Sequence, residues 1–174
     1  MTADAMAASQ LEAAAPSSAE LSWTALAVCA MGDGRVLRQA IQARTPLVLA
    51  DLAHDWPALK NWTPERLAER YGERDVRVYD ASFGTPGRGY MANVATMPFA
   101  EFLKETQTRG RDLRMFLYNL SQQIPELLDD TRLPEVGLRF SRRFVFSFFG
   151  CKGSTTPLHY DIDMGDVLHT VVRG

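Results

Sequence analysis

The chain lacks the features of a secreted, disulfide-bonded or membrane-spanning protein. Only two of its 174 residues are cysteine, Cys29 and Cys151, which is too few for a disulfide framework. We therefore expect a reducing compartment, the cytoplasm. The first 34 residues contain no Lys or Arg, so they lack the positively charged start of a secretory signal peptide. The apolar run over residues 25–31 is far too short to span a bilayer.

An excess of charge of one sign is also missing. Lys and Arg number 19 against 21 Asp and Glu, a formal net charge of −2, which gives no electrostatic reason to expect DNA or an anionic membrane as a partner. The sequence contains no P-loop, no Gly-x-Gly-x-x-Gly, no Gly-x-Ser-x-Gly and no Cys-x-x-Cys. These absences argue against nucleotide-binding, serine-hydrolase and thiol-redox chemistry.

Local patterns predict an α+β protein whose helices precede its strands. Residues 1–20, mostly Ala, Ser, Glu and Gln, are predicted to be a disordered tail, and residues 21–174 a single domain. Apolar spacing and capping residues predict three helices: over 34–43, from Thr63 to Gly72, and after Pro98. Aromatic and β-branched residues predict strands within 113–118, 144–149 and 167–172.

A histidine and an aspartate near the end of the chain have the spacing of metal ligands. His159 and Asp161 are two residues apart, so both side chains point to the same side of an extended chain. Imidazole and carboxylate ligands with open coordination positions are typical of non-haem Fe(II) oxygenases. The spacing alone is weak, since average residue usage gives a chance His-x-Asp in roughly one such chain in six. The alternative is a surface histidine beside an aspartate.

The residues around this pair make the signal more specific. The run Gly153-Ser154-Thr155-Thr156-Pro157-Leu158-His159-Tyr160-Asp161 resembles the first metal-binding motif of JmjC and cupin-like Fe(II)/2-oxoglutarate dioxygenases, Gly-x-x-Thr-Pro-x-His-x-Asp. The similarity to the cupin-like branch covers about residues 33–174 in the right order. Its earlier segments are Thr45-Pro46-Leu47-Val48-Leu49, Asp55-Trp56-Pro57, the helix from Trp62 to Gly72, and Ile124-Pro125-Glu126-Leu127.

The resemblance implies a fold, two cofactors and four site residues. The fold would be a double-stranded β-helix of the jelly-roll type, preceded by helices and incomplete at its C-terminal end. His159 and Asp161 would be ligands of Fe(II). Thr156 would hydrogen-bond the distal carboxylate of the co-substrate 2-oxoglutarate, and Tyr118 would add a second hydroxyl there. For Tyr118 the alternative is a core aromatic on a strand.

The last residues depart from the family pattern. The Lys that pairs with 2-oxoglutarate, and the distal His that completes the iron site, would both come after Gly174. Neither role is assigned to Arg173 or His169. We therefore expect a 2-oxoglutarate-dependent oxygenase of the hydroxylase type that is inactive as this chain alone. The alternatives are a non-catalytic cupin-like binding module and a fragment of a longer gene product.

The resemblance also bears on partners. Known relatives act mostly on protein side chains, so a protein or peptide substrate is implied. A homodimer stays open. Neither DNA nor a membrane is expected as a partner.

Overall fold

The computed structural model of the chain describes residues 26–30, 34–84, 87, 91–108, 112–135, 137–156 and 165–174. The predicted tail, residues 1–20, lies outside these ranges. The strands are β1 (Ala27–Ala30), β2 (Leu47–Ala50), β3 (Asp75–Val78), β4 (Ala95–Pro98), β5 (Arg114–Asn119) and β6 (Phe146–Gly150). The helices are α1 (Gly34–Gln42), α2 (Ala58–Asn61), α3 (Pro64–Tyr71), α4 (Phe99–Gln107) and α5 (Leu120–Gln123), with 3-10 segments at Ala81–Gly84 and Pro125–Asp130.

Helix α3 begins and ends where its local sequence predicts. The Thr63 hydroxyl accepts a hydrogen bond from the Arg66 amide at 3.3 Å, and Pro64 occupies the first helical position, where no amide is needed. At the other end the Gly72 amide donates to the Ala68 carbonyl at 2.9 Å. These contacts satisfy groups that a helix end leaves without a partner. The prediction of a capped helix here is confirmed.

Helices α1 and α4 confirm the other two predicted helices. Each has nine residues, and α4 follows Pro98 directly. In the part of the chain that the structure describes, no helix is long and apolar enough to cross a membrane.

Three two-stranded pairings organise the strands. Strands β1 and β2 pair in parallel, whereas β3 pairs with β4 and β5 with β6 in antiparallel fashion. A single bridge between Tyr79 and Arg114 places β3 beside β5. The last two pairs therefore lie side by side in the order β4-β3-β5-β6.

The core lies between this strand layer and helix α4. Phe99, Phe102 and Leu103 form the buried face of α4, as their spacing predicts. They belong to one cluster with Val76 and Met115, which come from β3 and β5. Helix α4 also packs against α3. Burial of large apolar side chains in this cluster is the main source of stability that the fold offers.

A carboxylate anchors the 3-10 segment Pro125–Asp130 to the end of α2. Asp130 accepts one hydrogen bond from the Asn61 amide group at 2.8 Å and another from the Trp62 indole nitrogen at 3.0 Å. Both carboxylate oxygens are thus in use by residues far away along the chain. Arg132 adds an exposed ion pair to Asp55 at 2.5 Å.

One expectation about the C-terminal third needs correction. The prediction of a strand over 167–172 was wrong, because residues 165–174 form no helix or strand. Residues of high strand propensity form a strand only when a neighbouring strand pairs with them. Val167 and Val171 are exposed and have no such partner in the described ranges. The predicted mixture of helices and strands is confirmed. The described strands are short, and the incomplete double-stranded β-helix stays a prediction.

The Asp130 anchor leads to a stability prediction. Asp130→Ala leaves the Trp62 and Asn61 donors without their acceptor, so we expect the free energy of unfolding to fall by about 1–3 kcal/mol. The neighbouring Asp129→Ala is the matched control and should change it by less than about 0.5 kcal/mol. Urea unfolding followed by tryptophan fluorescence measures both. Equal losses in the two variants would contradict the anchor.

Candidate metal and co-substrate site

The chain turns sharply after β6, where the predicted motif begins. The Cys151 amide donates to the Leu113 carbonyl at 3.0 Å, which continues the pairing with β5 by one more residue. Gly153 then adopts a φ of +91°, a conformation that glycine reaches without strain. The Ser154 amide closes the turn onto the Cys151 carbonyl at 3.0 Å. A side chain at Gly150 would meet the Ser154 hydroxyl, which would have to rotate away, whereas the positive φ of Gly153 favours glycine at that position.

Arg114 holds the chain just beyond this turn. It is the first residue of β5, and only 5% of its surface is exposed. One terminal guanidinium nitrogen donates to the Thr155 carbonyl, and the other pairs with the Asp112 carboxylate. The guanidinium carbon lies 5.4 Å from the centre of the Phe83 ring, a cation–π distance. The Arg114 Nε atom is buried and has no partner among the described residues.

Thr156 is the last residue described before the predicted metal ligands. Its side chain is exposed, and its hydroxyl makes no hydrogen bond to the part of the chain that the structure describes. His159 and Asp161 lie outside the described residues, so their role stays a prediction. Within the described ranges, no three His, Cys, Asp or Glu side chains come together as a metal site would require.

Tyr118, the other residue predicted to hold 2-oxoglutarate, lies on the side of β5 that faces helix α4. It pairs with Ser147 of β6, and its ring stacks on Phe99 with centroids 6.5 Å apart and planes 22° apart. Burial raises the pKa of its hydroxyl, and the positive charge of Arg74 opposes this rise. This packing agrees with the alternative of a core aromatic. The contact with 2-oxoglutarate stays a prediction.

A β-bulge explains why Tyr118 faces the helix. Regular alternation along a strand would put it on the same face as Arg114 and Phe116. The register shifts between Met115 and Tyr118, and Leu117 takes a left-handed φ of +53°. The extra residue turns Tyr118 to the face of Met115. Phe116 stays on the opposite face, where its centroid lies 4.5 Å from that of Phe83.

The two remaining histidines show no ligand geometry in the described ranges. The His54 Nδ1 atom lies 2.6 Å from the Asp51 carbonyl oxygen, a local contact in a turn. The His169 ring is exposed and packs against Phe148 with centroids 5.9 Å apart. These contacts give no reason to place either histidine on a metal.

Comparison with known families agrees with the resemblance. The family model described as a cupin-like domain matches residues 34–174, which is most of the chain. The chain belongs to the cupin-like domain family. The match begins at α1 and includes the Gly153–Asp161 run, so the described core and the predicted motif belong to one family domain.

Two curated proteins show what this cupin-like chain is similar to. It is 28% identical over 96 residues to the Arabidopsis thaliana protein named lysine-specific demethylase JMJ21, covering 54% of this chain and 9% of that protein. It is 28% identical over 134 residues to the Dictyostelium discoideum JmjC domain-containing protein A, covering 67% of this chain and 50% of that protein. The chain thus spans half or less of the length of each. Both names place it near JmjC-domain proteins.

Sequence reasoning missed Arg114 and its carboxylate partner Asp112. Arg114 interrupts the otherwise apolar run Leu113-Arg114-Met115-Phe116-Leu117 on a predicted strand. A charged residue inside such a run needs a partner when it is buried, so the run itself carried a signal. The partner carbonyl could not be foreseen, because Thr155 lies 41 residues further along the chain.

The packing of Tyr118 predicts a change of stability with alkaline pH. Because its pKa is raised in the folded state, the unfolded chain loses this proton first as the pH rises above about 10. The stabilisation from the neutral hydroxyl is therefore complete below that pH and is lost as the pH rises through the folded-state pKa. Tyr118→Phe should remove this part of the pH dependence, measured by urea unfolding at a series of alkaline pH values. If the free energies of unfolding of the wild type and of Tyr118→Phe changed with pH in parallel, the effect would be ruled out.

Proposed function

We propose that this protein is an Fe(II)- and 2-oxoglutarate-dependent oxygenase of the hydroxylase type. The observation that carries the proposal is the Gly153–Asp161 run inside a chain that belongs to the cupin-like domain family. The similarity to JmjC-domain proteins, one of them named a lysine-specific demethylase, supports the same class of chemistry.

The residues of the run fit these cofactors by their chemistry. His159 offers an imidazole and Asp161 a carboxylate, the two ligand types that a facial Fe(II) site combines. Thr156 has an exposed hydroxyl that makes no hydrogen bond to the described residues, so it is able to donate to a carboxylate of 2-oxoglutarate. A second histidine is needed to complete the triad, and we do not assign that role to His169. When bound, Fe(II) would activate O₂ and 2-oxoglutarate would supply two electrons as it is converted to succinate and CO₂, so that one oxygen atom of O₂ goes to succinate and the other is available for hydroxylation.

Tyr118 has a smaller part in this proposal than Thr156. Its ring is stacked on Phe99, and Phe149 packs edge-on against Phe99 with centroids 5.5 Å apart. Because the Tyr118 ring is packed in this way, its hydroxyl could contact 2-oxoglutarate only if the co-substrate lay at the edge of the hydrophobic core. We retain Tyr118 as a second contact, tested separately from the iron ligands.

The substrate class, the location and the assembly state follow the family resemblance. We propose a protein or peptide side chain as substrate and the cytoplasm as location. Both cysteines are free in the described structure, which suits a reducing compartment. The assembly state, monomer or homodimer, is to be measured by size-exclusion chromatography with light scattering.

The proposal predicts succinate formation. The natural full-length protein, incubated with Fe(II), 2-oxoglutarate and ascorbate, should release succinate above the level without iron. His159→Ala and Asp161→Ala should each reduce this turnover by at least about a hundredfold, because each removes a ligand that binding requires. Thr156→Val should chiefly raise the KM for 2-oxoglutarate. Mass spectrometry of the succinate measures all of these.

His54→Ala is the matched histidine control and should leave turnover unchanged, since among the described residues the His54 ring forms its hydrogen bond with a turn carbonyl, that of Asp51. Binding of Mn(II) without succinate would favour the non-catalytic binding module instead. If the full-length protein neither bound a metal nor formed succinate, the oxygenase proposal would be refuted.

A further inference from the structure

Arg114 is buried in a way that simple ion pairing does not explain. Its side chain is 6% exposed, whereas that of its partner Asp112 is 42% exposed. Taking a guanidinium out of water is costly unless its donors find acceptors, and an ion pair with Asp112 would form more cheaply at the surface. The buried position gives Arg114 a second acceptor, the Thr155 carbonyl.

The Thr155 carbonyl lies in a segment that few backbone hydrogen bonds hold in place. Residues 151–156 contain no helix or strand, and the backbone bonds of Cys151 and Ser154 fix only the beginning of this segment. No other side chain in the described ranges donates to Thr155. Among the described residues, the last two before the predicted metal ligands, Thr155 and Thr156, are therefore held through the contact of Arg114 with the Thr155 carbonyl.

Holding this carbonyl also restrains Thr156. The Thr155 oxygen belongs to the planar peptide unit that includes the amide nitrogen and Cα of Thr156. A donor that holds the oxygen thus restrains the position of the Thr156 Cα atom, from which the side chain leaves the backbone, and rotation about the N–Cα bond of Thr156 sets the final direction. The Thr156 hydroxyl is exposed, so no contact of its own in the described structure does this.

Arg114 is itself held rigidly enough to serve as such a donor. Its backbone forms two hydrogen bonds with Tyr79, both 2.8 Å long, and its guanidinium rests near the Phe83 ring. Phe116 packs against both of these aromatic rings. The donor to Thr155 is therefore part of the strand layer, not of a surface loop.

We propose that Arg114 is a positioning residue that orients Thr156 for 2-oxoglutarate by holding the carbonyl of Thr155. The inference rests on the proposed function for the identity of the ligand. The clamp itself, between the strand layer and the segment 151–156, does not depend on that function.

A double-mutant cycle tests the action through Thr156. The dissociation constant of 2-oxoglutarate is measured by calorimetry on the full-length protein with Mn(II) present, for wild type, Arg114→Met, Thr156→Val and the double variant. Loss of a charge-assisted hydrogen bond should weaken binding about tenfold in Arg114→Met. In the Thr156→Val background the same substitution should add less than about twofold. Additive effects would overturn the proposal.

Two further variants separate positioning from a general loss of structure. Arg114→Lys keeps the charge but offers a single donor group, so it should restore binding only in part. Arg132→Met removes another Arg–Asp ion pair, the exposed one with Asp55, and should leave the dissociation constant unchanged. Two results would contradict a specific role of Arg114. One is that Arg114→Lys and Arg114→Met bind 2-oxoglutarate equally weakly, and the other is that Arg132→Met raises the dissociation constant as much as Arg114→Met.

Hydrogen exchange tests the clamp without any ligand. In Arg114→Met, the Ser154 amide, which donates to the Cys151 carbonyl, should exchange at least about tenfold faster, while the amides of α4 keep their wild-type rates. An unchanged rate at Ser154 would overturn the clamp. If the wild type binds no 2-oxoglutarate, the proposed function fails, and the exchange measurement still decides whether Arg114 holds this segment.

Discussion

The two backbone hydrogen bonds between Tyr79 and Arg114 are the constraint on which the rest of the described structure depends. They are the bridge that joins the β3–β4 pair to the β5–β6 pair. A two-stranded ribbon is marginally stable by itself, because one pair of short strands buries too little apolar surface. Joined at this bridge, the two ribbons share one face, on which Phe99 and Phe102 of α4 become almost completely buried. The core thus forms where the two ribbons meet.

The same residue links this core to the predicted site. The Arg114 backbone closes the strand layer, and its side chain reaches the segment that leads into the motif. Its charge is tolerated because an ion pair, a carbonyl and an aromatic ring surround it. The cost of the arrangement remains visible at Nε, which is buried and unpaired in the described structure. Packing alone therefore does not explain why Arg114, a charged residue, occupies this buried position.

Helices were predicted well from sequence because their signals are local. Thr63, Pro64 and Gly72 satisfy or remove the groups at the two ends of α3, and all three lie within or beside the helix. Strands depend on partners elsewhere in the chain. Strand β4, Ala95–Pro98, has little strand propensity and was missed, because it exists through its pairing with β3. Residues 167–172 have high propensity and no partner strand in the described ranges.

The candidate site was predictable to a different degree at each residue. The His159 and Asp161 pair and Thr156 could be recognised because they form one short motif. Arg114 could have been suspected from its apolar neighbours, but its acceptor is set by the tertiary fold. The face of Tyr118 could not be predicted, since regular alternation gives the wrong side.

The bulge at Leu117 decides whether Tyr118 packs in the core or lies on the same side of β5 as Arg114. A leucine at φ +53° carries a conformational cost of about 1–2 kcal/mol, and its own side chain is half exposed, so it gains little by burial. The gain comes from Tyr118, whose ring the bulge moves onto Phe99 and the core cluster. With the bulge absent, Tyr118 would share the face of Arg114. The bulge therefore assigns Tyr118 mainly to the core and leaves Thr156, within the motif, as the main hydroxyl predicted to contact 2-oxoglutarate.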